Sequence, residues 1–441
     1  MKYSQFNSLL PYEGDKYSLY NSFNNNVIFL DPVLKELLEA GISEGIDNLQ
    51  EIYPAFYEHL IDNKFLVEES LNEVEAVKKI STGVDESLRF YTLTINPTMN
   101  CNFKCYYCYE THIKKSRMEV GEIQRIQKFI DNTASKKELE EFTLSFFGGE
   151  PLLYFNRNVI PVIDHFLISC KINNKAGNIA FTTNGYLINQ EFIDYFDSKD
   201  IKCSLQITLD GYREEHDKVR YVSKTKGSYF EIIKNVKLLI QNHFFVTLRI
   251  NYTDDNLEDT NKIPLDFADV ADDIKEKYLI FDFHRVWQND QLDDLNLMLD
   301  KNLAAIRDDG FNAKGTYSPN NVYDSCYADK RNSVVINYNG DIFKCTARDF
   351  ETVNRAGYID EEGGLVWEND YLERRMSAKF RNKPCLSCKI MPLCNGGCSQ
   401  HAMEHGEEGN DYCIYYGDEN EKNKVVNTKI QDIVRENLQE A

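Results

Sequence analysis

Ten of the twelve cysteines in this 441-residue chain fall into two spaced groups. The first group, Cys101, Cys105 and Cys108, is packed as C-x3-C-x2-C directly after an apolar strand pattern. Three thiolates on one short loop can hold three corners of an iron-sulfur cube and leave a fourth iron open to a substrate or cofactor. Tetrahedral zinc usually draws its ligands as two separated pairs, so this spacing points to iron and sulfide, with structural zinc or spare thiols as the alternatives. The second group runs Cys326, Cys345, Cys385, Cys388, Cys394, Cys398 and Cys413. Its last five members would also suit a zinc ribbon. Cys170 and Cys203 stand alone and read as small buried apolar residues.

Acidic residues outnumber basic ones by 71 to 50, a formal charge of −21, and they are spread along the chain rather than gathered in a tail. That distribution speaks against a nucleic-acid footprint. Met1 to Gly14 carries one lysine and no long apolar core, and no apolar run reaches the roughly 18 residues that span a bilayer. The expectation is a soluble, cytoplasmic protein with neither nucleic acid nor membrane as partner. In that compartment grouped cysteines favour metal over disulfides. A dinucleotide oxidoreductase is disfavoured, because no strand is followed by a Gly-x-Gly-x-x-Gly loop.

The elements that must position these cysteines divide the chain into three expected domains: 1–88, 89–300 and 301–441. Residues 1–88 read as a small α+β recognition module. A short strand at Val27 to Leu30 precedes Asp31-Pro32, a cap with proline at the first helical position, and Leu34, Leu37 and Leu38 follow at helical spacing. A second helix is expected from about Ala55, then the apolar pair Phe65-Leu66 and an acidic stretch from Glu68 to Glu75. From Arg89 apolar runs alternate with amphipathic helices. The expected strands are Phe90 to Ile95, Phe142 to Phe147, Ile179 to Thr182, Cys203 to Leu209, Phe244 to Ile250 and Tyr278 to His284. Helical spacing lies between them at Ile123, Ile126 and Ile130, and at Phe230, Ile233, Val236 and Ile240. Six strand-helix units predict an α/β fold with a parallel sheet, in which functional groups sit on the loops after the strands. The unusual residues follow the strands: Cys101 to Cys108 the first, Gly148 to Pro151 the second, Thr183 to Gly185 the third, Asp210-Gly211 the fourth. Arg249 and Asn251, two apart near the end of the fifth, share a face at the mouth. Beyond residue 300, Val334 to Ile336, the turn at Asn339-Gly340 and Ile342 to Cys345 read as a hairpin. Val425 to Leu438 reads as an exposed terminal helix.

With the aromatic Tyr107 before its third cysteine, the segment from Cys101 to Cys108 resembles the signature of the radical S-adenosylmethionine enzymes. The resemblance implies a partial (β/α)6 TIM-like barrel whose 4Fe-4S cluster binds S-adenosylmethionine at its open iron and cleaves it to methionine and a 5′-deoxyadenosyl radical. Gly148, Gly149, Glu150 and Pro151 look like the family's motif at the cofactor amine. By the same resemblance Thr208 stands where the family often has a serine near the cofactor, and Arg220 would pair with its carboxylate. The second cysteine group resembles the SPASM extension, which holds two further 4Fe-4S clusters. Carried over residue by residue, Cys385, Cys388, Cys394 and Cys413 would bind the outer one. Cys326, Cys345 and Cys398 would bind the inner one, which lacks a fourth cysteine because none lies between Tyr327 and Lys344. His401 and His405, at i and i+4, read instead as a helical face.

This architecture most often modifies peptides or proteins. Residues 1–88 are similar in size and pattern to winged-helix-like domains that bind leader peptides. The expected function is therefore a peptide maturase that removes hydrogen from a ribosomally made peptide and closes a thioether or carbon-carbon crosslink. Its expected partners are a precursor peptide with a leader and an external one-electron reductant of the flavodoxin or ferredoxin type. The nearest rival is an anaerobic sulfatase maturase forming formylglycine. Those enzymes place an aspartate after the cysteine that Cys345 matches, where this chain has Thr346, with Asp349 nearby. A zinc-binding adaptor is the non-enzyme alternative.

Overall fold

The computed structural model describes residues 1–223, 225–286, 293–315 and 321–439. The chain divides into two compact units. One holds Leu88–Tyr317 and Asn332–Asn369; the other holds Met1–Ser87, Ser318–Arg331 and Asp370–Ala441.

The first of these is built on an α/β sheet. Its strands Phe90–Asn96, Glu141–Phe146, Ala176–Thr183, Ser204–Leu209, Phe245–Tyr252 and Leu279–Arg285 lie side by side in chain order, every neighbouring pair parallel. Each of the six matches an expected apolar run to within a few residues. Asn312–Lys314 adds a parallel strand beyond the sixth. On the other side Ser333–Asn337 runs parallel to the first strand. Asp341–Phe343, Gly357–Ile359 and Leu365–Trp367 then continue the sheet antiparallel to a total of eleven strands. The expected hairpin around Asn339-Gly340 is thus part of the parallel sheet's own edge. Helices at Val120–Ala134, Ile160–Ile172, Gln190–Ser198 and Tyr229–Gln241 supply the crossovers.

Side chains alternate across a strand, so each presents two faces. Leu93, Ile95, Leu144, Phe146, Ile179, Phe181, Ile207, Leu248 and Ile250 are buried in one continuous core with Ile126, Ile130, Ile163, Val236 and Ile240 of the helices. The opposite positions are polar: Thr92, Thr94, Ser145, Thr182, Gln206, Thr208, Arg249, Asn251, Asp282 and His284. A parallel sheet buried on both faces reads as nearly continuous apolar sequence. Here the helices seal one face and the other is lined for polar chemistry.

In the second unit Asn7–Pro11, Tyr17–Asn21 and Asn26–Leu30 form a three-stranded antiparallel sheet, of which only the last strand was legible from sequence. The first two are short and interrupted by polar residues, and cross-strand pairing rather than local pattern secures them. Asp31 caps the helix Pro32–Glu44 by accepting from Leu34 N at 2.8 Å, with Pro32 at its first position. The acidic stretch continues into a helix, Glu73–Asp85, that sequence reading did not anticipate; Asn72 caps it. Residues 1–87 have a cluster of their own around Leu19, Leu38 and Phe65. They also share one: Leu10 and Tyr20 are buried with Ile390, Leu393, Val426 and Ile430. The terminal helix, Glu419–Gln439, is therefore not simply exposed as expected, because its i and i+4 pair Val426 and Ile430 packs into that cluster.

Candidate functional site

The loop after the first strand carries Cys101, Cys105 and Cys108, and its two limbs are stitched together before it reaches the helix Val120–Ala134. Ile113 N donates to Met99 O at 3.0 Å and Met118 N to Pro97 O at 3.1 Å. Thr98 Oγ1 bonds Ser116 O at 2.6 Å, and Ser116 Oγ accepts from Met99 N at 2.8 Å. Met99 and Phe103, on either side of Cys101, are buried, the latter edge-on to Tyr186. The cysteines themselves remain partly accessible, Cys108 most of all. Burial raises all three thiol pKa values, Cys101 to about 12 and Cys108 to about 11. Thiols with raised pKa values bind a metal only with loss of their protons, so the metal's positive charge must supply what their surroundings withhold.

The loop after the second strand braces this one. Gly149 N donates to Thr98 O at 3.1 Å and Glu150 N to Asn100 O at 2.9 Å, extending the strand pairing into the cysteine loop. Gly148 has φ +87°, and a Cβ there would stand 2.7 Å from Thr98 O; a Cβ on Gly149 would overlap Asn100 O. Only glycine permits this approach. The Glu150 carboxylate is fully buried and accepts from Leu152 N at 3.0 Å, Thr183 Oγ1 at 2.7 Å and Asn184 N at 2.8 Å. Burial raises its pKa, and those donors oppose the rise. Glu150 thus ties the loops after the second and third strands together. Asn184 in turn reaches Asn102 Oδ1 at 2.7 Å and lies 4.0 Å from Cys101 Sγ.

Tyr107 is the centre of a second group. Its hydroxyl donates to Asp210, accepts from Arg220 Nη2 at 2.8 Å and accepts from Asn251 Nδ2 at 2.9 Å. Arg220 Nε also pairs with Asp210, which is 1% exposed. Burial works against the Arg220 charge, but Asp210, Tyr107 and Cys105 outweigh it and hold its pKa well above the ordinary value. Arg249 Nε reaches Asn251 Oδ1 at 3.0 Å. Thr208 is in register with Arg249, which is in register with Asp282, so the three form one row on the polar face. The buried His216 braces the backbone around this pair: its Nδ1 accepts from Asp210 N at 3.2 Å and its Nε2 meets Ser228 Oγ at 2.9 Å, and Ser228 Oγ donates to Arg220 O at 2.7 Å. The structure therefore brings Tyr107, Asp210, Arg220, Arg249 and Asn251 together beside the cysteine loop, with Thr208 one strand away. Sequence reading passed over His216, and gave Asn184 and Asp210 no role beyond their position after a strand. That position was the available signal.

A third set of contacts fixes the outer limb. Tyr109 OH donates to Thr346 O at 2.7 Å, and Asp349 accepts from Thr111 N at 2.8 Å and from Thr111 Oγ1 at 2.6 Å. The residue considered as a stand-in base for a sulfatase maturase is thus engaged in holding the cysteine loop. Glu110 has a buried carboxylate oxygen without a hydrogen-bond partner, and burial together with Asp349 raises its pKa to about 8.

Of the second cysteine group, Cys385, Cys388, Cys394 and Cys413 line one cavity together with Ile390, Tyr412 and Lys422. Four thiols around one cavity are a donor set suited to an iron-sulfur cube. Cys326 and Cys398 belong to the same unit as these four, and Cys345 to the other. Among the described residues no three Cys, His, Asp or Glu side chains converge on the position of a single metal ion. His401 and His405 lie along one helix against Tyr412, at ring distances of 5.8 and 5.2 Å. Cys170 and Cys203 are buried in the apolar core, as their isolation in the sequence implied.

Residues 95–263 match the radical SAM superfamily. The chain is 26% identical over 386 residues to a cysteine-type anaerobic sulfatase-maturating enzyme of Clostridium novyi, covering 76% of this chain and 96% of that one. It is 25% identical over 394 residues to the radical SAM cyclopropyl synthase TigE of Paramaledivibacter caminithermalis, covering 80% and 77%. Among solved structures, native anSMEcpe with bound AdoMet superposes with a TM-score of 0.54 at 16% identity, over 77% of this chain and 99% of that one. SuiB of Streptococcus suis bound to precursor peptide SuiA gives 0.51 at 19%, over 90% and 95%. The cysteine loop on a parallel sheet with a polar face, the domain match and these relatives agree: residues 95–263 form a radical SAM domain, and the chain is an enzyme with the fold of anSMEcpe and SuiB.

Proposed function

We propose that the enzyme matures a ribosomally made peptide, holding the precursor's leader on residues 1–88 and closing a thioether or carbon-carbon crosslink in its core. The observation that carries this reading is the join between the cysteine loop and the polar sheet face through Tyr107, Arg220 and Asn251. A reactive centre on Cys101, Cys105 and Cys108 would open onto a wall of amide, hydroxyl and charged groups able to orient a peptide. A reduced 4Fe-4S cluster with S-adenosylmethionine on its open iron supplies a 5′-deoxyadenosyl radical there. Gly148 and Gly149 would offer backbone to the cofactor amine, Glu150 sets the loop's course, and Thr208 and Arg220 would hold the cofactor carboxylate.

Crosslinking removes two hydrogens from the peptide. One would leave as an atom to the radical that the bound cofactor supplies and the other as a proton, with an auxiliary cluster in residues 301–441 as the acceptor of the remaining electron. In this reading Cys385, Cys388, Cys394 and Cys413 would hold one such cluster and Cys326 and Cys398 would contribute to another, for three clusters in all. A flavodoxin- or ferredoxin-like donor in the cytoplasm starts each turnover. Leader binding is supported by the strand Asn26–Leu30, which pairs on one side only among the described residues and carries the partly exposed Phe29. A free edge of this kind accepts an added strand. TigE, a cyclopropyl synthase by name, and SuiB, seen with a precursor peptide, support the substrate class.

Sulfatase maturation is the second reading, favoured by similarity along nearly the whole Clostridium novyi enzyme. Against it stand Thr346 in place of aspartate and the engagement of Asp349 with Thr111. Anaerobically reconstituted protein should be offered, in parallel, the short peptide encoded beside its own gene and a sulfatase active-site peptide. Mass spectrometry showing loss of two hydrogens and a new crosslink in the first supports the proposal; an aldehyde formed in the second and no change in the first would replace it.

A further inference from the structure

Lys422 lines the cavity of Cys385, Cys388, Cys394 and Cys413 and is 7% exposed. Lysine is almost never buried to this degree without a partner. It also stands in the first turn of the helix Glu419–Gln439, where the helix dipole disfavours a cation. Its ion-pair partner is Glu419, 2.7 Å away, but that carboxylate is mostly exposed and is shared with Lys389 at 3.0 Å. One carboxylate between two ammonium groups leaves positive charge at the wall of a four-thiol cavity.

We propose that Lys422 sets the reduction potential of an iron-sulfur cluster held by Cys385, Cys388, Cys394 and Cys413. The proposal rests on the reading of those four thiols as an auxiliary-cluster site. A cube with four thiolate ligands is anionic and gains one further negative charge on reduction, so net charge and nearby groups set its potential. A fixed ammonium beside it favours the reduced form. Such a cluster takes up the electron released in crosslinking more readily, and the terminal helix becomes part of the electron path rather than a cover for it.

The test is a redox titration, followed by electron paramagnetic resonance, of the anaerobically reconstituted full chain. Lys422→Gln should lower the reduced-to-oxidised ratio of this cluster about tenfold at a given potential, a midpoint about 59 mV more negative for one electron. Lys422→Arg should keep the native midpoint. Glu419→Gln, which leaves the ammonium less balanced, should move it the opposite way, and it decides the matter if Lys422→Gln loses iron. An unchanged midpoint in both Lys422→Gln and Glu419→Gln, or the same displacement in Lys422→Gln and Lys422→Arg, overturns the role of Lys422. Unchanged iron content and spectrum in a Cys385→Ala, Cys388→Ala double variant would instead overturn the cluster site itself.

Discussion

Gly149 lies so close to Asn100 that a single added methyl group would overlap the Asn100 carbonyl oxygen, while Glu150 N donates to that same oxygen at 2.9 Å. The cysteine loop therefore takes its course from the backbone of the glycine loop, one residue before Cys101. Gly149→Ala should destabilise the protein by about 1–3 kcal/mol through overpacking and weaken iron retention at the triad. Gly83 and Gly121, helical and with open space at Cβ, serve as controls: Ala there should stabilise by about 0.4–1 kcal/mol. Denaturant melts and iron assays on the three variants check both signs.

Arg220 and Asp210 form a nearly dry ion pair that also holds Tyr107. Removing one member of a buried pair strands the other charge, at about 3–5 kcal/mol. Asp210→Asn should lose stability on that scale and, by releasing Tyr107, reduce S-adenosylmethionine cleavage as well. Asp266→Asn offers a contrast, because its partner Arg213 is more exposed, and should cost about 1 kcal/mol or less from the ion pair.

Glu110, with one buried carboxylate oxygen that lacks a hydrogen-bond partner, gives the metal-free protein a predictable pH response. Its folded-state pKa, near 8, lies above the ordinary value of 4.5. The folded chain therefore binds a proton there that the unfolded chain does not. The stability this protonation supplies is fully present below about pH 4.5 and is lost as pH rises through about 8. Relative to wild type, Glu110→Gln apoprotein should become progressively more stable across that window. Parallel urea titrations at several pH values would show it, and a difference constant from pH 5 to 8 would contradict it.

Cys101→Ala, Cys105→Ala and Cys108→Ala together should abolish 5′-deoxyadenosine formation while leaving iron bound elsewhere in the chain. Cys203, 2% exposed in the core, should behave oppositely: Cys203→Ala keeps its iron and its cofactor cleavage and loses only packing energy, on the order of 1 kcal/mol. Product assay by chromatography with iron analysis separates the two cases.

Much of this was legible along the chain. The six strands could be read because each is an apolar run bounded by helical spacing, and the loops bearing unusual residues all follow strands. The strands Asn7–Pro11 and Tyr17–Asn21 could not, since their order comes from pairing with one another and with Asn26–Leu30. Glu73–Asp85 was hidden by its acidic start, which as a helix N-terminus is favourable. The terminal helix looked exposed because its apolar residues are few, and it is packing with Ile390 and Leu393 and with Leu10 and Tyr20, some 400 positions earlier, that makes Val426 and Ile430 a buried pair.

By itself the sequence determined the chemistry available: thiol spacing and the order of strands and loops are local properties, and ligand type follows from side-chain type. Tertiary structure alone decided which groups surround that chemistry. Tyr107 and Asn251 are 144 positions apart, and Cys385 and Lys422 come to line one cavity only when a helix folds back across it. Such contacts depend on distance through space, and charge, burial and hydrogen bonding act over that distance whatever the separation along the chain.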